Sequence, residues 1–170
     1  MGLLYLFHRI NGKNHGGDAS AKAAPLLEFS YSPGYCDMCG ELHHSELRKN
    51  EDGEWQIETR DRSEFGEPML TTIYAVSAEA VERFETFLRE KKVLSLEKRR
   101  DSKEFVTDYS PWHYIITYGK MIEGRMRKDF HSIRQYKRYS PKDYALLKEL
   151  NQRFDELYGE KISETSGMEE

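Results

Sequence analysis

The sequence predicts an α+β fold, a mostly antiparallel sheet with two helices packed on one face. Three observations carry this. Short β-favouring runs recur along the chain, separated by turn residues such as Asn50-Glu-Asp-Gly53. Two segments, over 77–92 and 140–158, show the three- and four-residue apolar spacing of amphipathic helices. The resulting order is strands, helix, two strands, helix. It leaves only the first helix placed to make a parallel crossover, so antiparallel pairing dominates.

Leu3–Ile10 reads as a short aromatic and aliphatic strand, and Asn11–Ala24 as a flexible loop of small polar residues. Leu26–Tyr31 is a second strand, ended by Ser32-Pro-Gly34. His44–Lys49 and Glu54–Arg60 flank an Asp-Gly turn whose glycine supplies positive φ. Trp55 and Ile57 share one face there, and Gln56 and Glu58 the other, as in a sheet with one solvated side. Met69–Val76 is a strand rich in Thr and Ile.

Ser77 then caps a helix reaching about Lys92. Its apolar stripe is Val81, Phe84 and Leu88 with Phe87 beside them, and its charged residues fall on the opposite face. A charged loop leads to Trp112–Tyr118, an apolar and central strand. Gly119–Gly124 turns the chain, and Arg125–Tyr139 returns as a strand. Ser140 at the N-cap, Pro141 at the first helical position and Asp143 form a capping-box variant. Tyr144, Leu147, Leu150, Phe154 and Leu157 make the buried stripe of this last helix, with Gly159 suited to its C-terminal end. Residues 1–162 are expected to form one domain and residues 163–170 a disordered polar tail.

Three junctions carry a resemblance. Tyr74-Ala-Val-Ser77 runs into a Glu/Phe-rich helix, Asp108-Tyr-Ser-Pro-Trp112 opens a Tyr-Ile-Ile-Thr-Tyr strand, and Tyr136-Lys-Arg-Tyr-Ser-Pro141 enters the terminal helix. Over Leu26 to Tyr158 this resembles a loose class of uncharacterised bacterial α+β domains of strands–helix–hairpin–helix order. The resemblance implies a fold and brings no activity, ligand or catalytic residue with it.

Composition bounds the function. A chain of 170 residues can bury a core without staples, and its 11 Tyr, 8 Phe and 2 Trp argue against disorder. A net charge of −4 does not fit a dedicated nucleic-acid binder. No apolar run approaches the roughly 20 residues that span a bilayer. The N-terminal stretch lacks the basic region and long apolar run of a signal peptide, and Leu6 stands where myristoylation expects Ser or Thr. A cytoplasmic protein with no membrane partner is expected.

The most distinctive stretch is Cys36-Asp-Met-Cys-Gly-Glu-Leu-His-His44. Cys36, Cys39, His43 and His44 are candidate ligands for one zinc ion, because a tight turn brings two thiolates to one metal. Neighbouring strand residues point to opposite faces, so His43 and His44 do not reach the same ion, and His113 or His15 would have to complete the set. The competing reading is two reduced thiols in a surface turn beside two ordinary polar histidines. A redox pair is disfavoured, since no helix is expected to start at Cys36.

The second candidate is electrostatic. Lys120, Arg125, Arg127, Lys128, Arg134, Lys137, Arg138 and Lys142 face only Glu123 and Asp129 within residues 119–142, with Tyr118, Phe130, Tyr136 and Tyr139 interleaved. Cations with stacking aromatics suit a nucleic-acid strand, and they equally suit an acidic protein. Alternation of Arg125 and Arg127 with Met126 also fits a solvated edge hairpin whose cations discourage aggregation. No nucleophile elbow, phosphate loop or dinucleotide fingerprint accompanies these features. The reading reached is a small non-enzymatic binding module for a protein partner. The alternative is a nucleic-acid-associated module using residues 119–142, with one zinc ion at Cys36 and Cys39. A hydrolytic enzyme with a Cys/His-held metal is a weaker third.

Overall fold

The computed structural model describes residues 24–35, 39–103 and 110–167. The strand expected at Leu3–Ile10 and nearly all of the loop expected at Asn11–Ala24 lie outside them. Within them the fold is α+β, as expected. Seven strands are β1 (Leu26–Ser32), β2 (Leu42–Lys49), β3 (Trp55–Arg62), β4 (Met69–Ala75), β5 (His113–Ile122), β6 (Arg125–Arg134) and β7 (Lys161–Gly167). The helices are α1 (Ala78–Glu90) and α2 (Pro141–Asp155). One sheet holds all seven strands in the order β6-β5-β1-β2-β3-β4-β7. Every pair is antiparallel.

Strand alternation divides the sheet into two unlike faces, of which the inner one is covered by helices only over the central strands. Phe29, Leu47 and Ile57 stand side by side across β1, β2 and β3, with Ile116 on the other flank of Phe29. All four are fully buried. Val81, Phe84, Phe87 and Leu88 of α1 cover this inner face together with Leu147, Leu150 and Phe154 of α2. Phe29 is the junction: its ring centroid lies 5.0 Å from Phe84 and 4.8 Å from Phe154, so one strand residue contacts both helices. Trp55 and Trp112 pack against the margin of the same core.

The connections explain why the helices must lie here. β4 and β5 are separated in the sheet by β3, β2 and β1, so the segment containing α1 crosses the inner face to join them. α2 joins the two edge strands, β6 and β7, across the whole sheet. Both helices start where the sequence says. Ser77 accepts from the Ala80 N–H at 3.2 Å. Ser140 and Asp143 form the reciprocal capping box. Asp143 also receives Arg99 in two hydrogen bonds of 3.1 and 2.7 Å.

Several expectations are corrected. Residues 163–167 belong to β7 and are not a disordered tail. The outer edge of β4 offers unpaired backbone groups, and the chain leaving α2 is zipped onto it by Gly159 N–H to Ala75 O (3.1 Å) and Ala75 N–H to Glu160 O (2.8 Å). A Cβ on Gly159 would meet that Ala75 oxygen at 2.5 Å, so the glycine serves a close approach. β7 is almost wholly exposed and polar, which is why no alternation announced it. Residues 93–98, expected within a charged loop, form a 3-10 helix that buries Val93 and Leu96. Tyr144 is 56% exposed; the α2 face that points inward runs through Asp143, Leu147, Leu150 and Phe154. The strand expected over Arg125–Tyr139 ends at Arg134, and its partner continues to Ile122, so the turn contracts to Glu123-Gly124.

Phe154→Ala should cost about 3–5 kcal/mol, the usual penalty for emptying a core phenylalanine position. Tyr144→Ala, which loses only an edge-on contact with Tyr139, should cost about 1 kcal/mol or less. Chemical denaturation of both variants checks this helix phase. The pair with Arg99 first, helped by the Ser140 cap, holds the Asp143 carboxyl at about 2, below its ordinary 3.8. A depressed carboxylate contributes stability that is present above its unfolded value and lost as pH falls toward the folded one. Asp143→Asn should therefore lose about 2 kcal/mol near neutrality. The deficit should shrink between about pH 4 and pH 2, as read from denaturation midpoints.

Candidate interaction surface

β5 and β6 run on past the rest of the sheet. Pairing with β1 ends at Leu26 opposite Tyr118, and Gly119 N–H donates to Pro25 O at 2.8 Å. Beyond this point Lys120, Met121 and Ile122 pair only with Arg127, Met126 and Arg125 among the described residues. They form a two-stranded arm about 10 Å long. Glu123 and Gly124 close it with φ of 51° and 74°, the positive values a two-residue hairpin turn requires.

Alternation gives the arm two faces. On the helix side of the sheet stand Lys120, Ile122, Arg125 and Arg127. Lys120 is directly opposite Arg127, and none of Lys120, Arg125 and Arg127 has a carboxylate partner among the described residues. Like charges directly opposite on one face weaken a hairpin. On the other side Met121 lies opposite Met126, and Phe130 and Ile115 continue the same face. Met121 is 61% exposed, Met126 53% and Phe130 63%. Gly119 makes room for this row, since a Cβ there would sit 2.6 Å from the Met126 sulfur.

The other residues singled out in the sequence divide differently. Lys128 is on the apolar side and pairs with Glu28. Arg134 shares the parity of Lys128, so it faces away from Arg125 and Arg127, and it donates to Ser132 Oγ at 2.9 Å. Lys137 is paired with Asp101 at 3.0 Å. Arg138 lies past the end of β6, where its N–H donates to Arg100 O at 2.8 Å. Tyr136 is half-buried in the same irregular stretch, where its carbonyl accepts from Ser102 N–H at 2.8 Å. Tyr139 stacks on Trp112 with centroids 5.8 Å apart and donates its hydroxyl to Arg134 O. Burial pushes that phenol up to about 12. The basic segment is thus no single patch, and its three unpaired arm cations stand apart from both tyrosines.

Among the described residues the metal candidates Cys39, His43 and His44 are not brought together. Cys36 lies outside the described residues. Cys39 is disulfide-bonded, and a disulfide sulfur lacks the charge that makes thiolate a ligand. The ring of His43 is clamped by Asp61 at 2.8 Å through Nδ1 and by Glu41 at 3.1 Å through Nε2. His44 faces the other way, its Nδ1 2.9 Å from Ser32 Oγ. Burial depresses it, with Arg60 and His113 acting in the same direction. Among the described residues no group of three or more His, Cys, Asp or Glu side chains is placed to hold a metal ion.

The sequence shows Phe130 and Tyr118 as aromatics of the basic segment, but not that Phe130 joins Met121 and Met126 in one exposed row, nor that Tyr118 lies with Lys92 beside a cavity. The Met/Arg alternation was the available signal for the first; nothing local marks the second. Protein-family models, curated proteins and solved structures yield no significant match to this chain. No helix among the described residues is long and apolar enough to cross a membrane.

The His43 clamp gives a pH prediction. The bond to Asp61, chiefly, raises His43 above its ordinary 6.5 against the opposing effect of burial. A raised histidine contributes stability that is complete below 6.5 and lost as pH rises through the higher folded value. His43→Gln should therefore be less stable than the parent at pH 5.5 and approach it at pH 9. Thermal melts across that range check it, and a constant gap would contradict the charge pair.

Proposed function

We propose that this chain is a binding module that engages a protein partner through the β5–β6 arm. The observation that carries the reading is the arm's division into an unpaired cationic face and an exposed apolar face. Water penalises the row of Met121, Met126 and Phe130, and self-repulsion penalises Lys120 against Arg127. An acidic, partly apolar protein surface relieves both. Met is adaptable enough to serve such contacts.

The nucleic-acid alternative is less well supported. Stacked bases and bound phosphates of one strand need aromatics and cations within reach of each other. Phe130, the exposed aromatic ring on β6 next to the arm, is on the face opposite Arg125 and Arg127. Tyr139 is occupied by Trp112.

Immobilised protein should retain a defined set of proteins from nuclease-treated lysate of its source organism. Met126→Ser with Phe130→Ser, and separately Lys120→Ala with Arg127→Ala, should each lose most of that set while melting like the parent. Retention that disappears on nuclease treatment, or that both variants keep in full, would overturn the proposal.

A further inference from the structure

The cationic side of the arm leads into a cavity. Along the inner face of the β5–β6 pair, Ile122 is opposite Arg125, Lys120 opposite Arg127, and Tyr118 opposite Asp129, with His131 next along β6. Tyr118, Asp129 and His131 line a cavity of about 310 Å³, closed on its other side by Leu88, Arg89, Lys92 and Leu94. That volume is at the small end of the range for ligand sites, enough for one large apolar side chain. Leu88, Leu94 and the Tyr118 ring supply apolar wall. Arg89 roofs the ring at 5.3 Å and is held there by Glu85 at 2.5 Å.

The charges at the mouth are unequal. Arg89 has Glu85, and His131 has both Glu97 at 3.0 Å and Asp129, the acid of the lining, at 3.8 Å. Against it stand Lys92 at the rim and Lys120 and Arg127 on the adjoining arm, none with a carboxylate partner among the described residues.

Lys92 adds an independent observation. It follows the α1 C-cap Lys91 with φ of 53°, the left-handed position where helices usually place glycine. A side chain there carries strain of about 1 kcal/mol or more that glycine would relieve. Its side chain is exposed, and no packing or ion pair within the described residues accounts for a lysine at this place.

We propose that this cavity and the cationic face of the arm form one cleft for an acidic peptide segment of the partner. An apolar side chain of the segment enters beside Tyr118, and the flanking carboxylates pair with Lys92, Lys120 and Arg127. This rests on the reading of the arm as an interaction surface and specifies what that surface recognises.

The test is fluorescence anisotropy of the full chain with a labelled peptide of glutamates around one central leucine. Replacing that leucine with alanine should weaken binding by about tenfold to thirtyfold, the equivalent of burying most of a leucine side chain. Lys120→Ala with Arg127→Ala should weaken it by about tenfold and flatten its salt dependence. Lys92→Gly should weaken it by about threefold while the melting temperature holds or rises, an outcome a structural role for the lysine does not give. Met126→Ser with Phe130→Ser, on the opposite face, should leave peptide binding unchanged. Equal affinity for the alanine peptide, unaltered binding by the cationic variants, or displacement of the peptide by a single-stranded oligonucleotide that binds more tightly would overturn the cleft. Partner capture that still depends on the arm would, in that event, leave the broader reading standing.

Discussion

The contact of Phe29 with Phe84 and Phe154 holds the two layers together. β1 lies at the seam between β5 and β2, which belong to different halves of the chain. Its central phenylalanine is fully buried and meets one ring from each helix. Such tilted and edge-on aromatic pairs add about 0.5–1.5 kcal/mol each beyond the area they bury. Both helices are also crossover connections, so the same contact fixes where the chain can pass between sheet edges. The strand order and the position of β7 go with these two crossings.

The two sides of the sheet solve different problems. Beneath the two helices the inner side is apolar and closed. The outer side carries a lattice of opposite charges, in which Glu58 accepts from Arg48 at 2.9 Å and from Arg60 at 2.6 Å. Glu58 is buried by those long side chains, and despite that burial the two guanidinium bonds keep its carboxyl below the usual range. Charges satisfied by near neighbours leave little for a ligand. This contrast separates the arm from the outer face of the central strands: Lys120, Arg125 and Arg127 have no such neighbours among the described residues.

An unrelieved electrostatic cost is informative because the alternatives were close at hand. A glutamate opposite Arg127 in place of Lys120 would have stabilised the hairpin. Glycine in place of Lys92 would have relaxed the end of α1. Lys120 and Arg127 extend the inner face on which Lys92 rims the cavity beside Tyr118. Burial raises the Tyr118 hydroxyl while Arg89 pulls it the other way, a mixture of apolar wall and nearby cation within one small volume. The positive-φ lysine and the opposed cations around one concavity are the features that the proposed acidic segment would relieve.

The sequence by itself determined the α+β class, both helix starts and most strands. Those features are local: Ser77 and the Ser140–Asp143 box cap backbone groups a few residues away, and the alternation of Trp55 to Glu58 sorts side chains before any partner is known. The basic segment was visible in the same way, as a run of charge. Its division was not. Whether Arg134 faces Arg127 depends on strand parity, whether Lys128 is free depends on Glu28 a hundred residues away, and whether Tyr139 can stack on a ligand depends on Trp112. β7 escaped notice because its pairing is with the edge of β4 and its side chains bury little. The cavity joins residues from α1, the segment after it, β5 and β6, which only the crossing of α1 over the sheet brings together. Local backbone chemistry is written in neighbouring residues; registry, pairing of charges and concavity arise from contacts between distant ones, and those the tertiary structure alone decided.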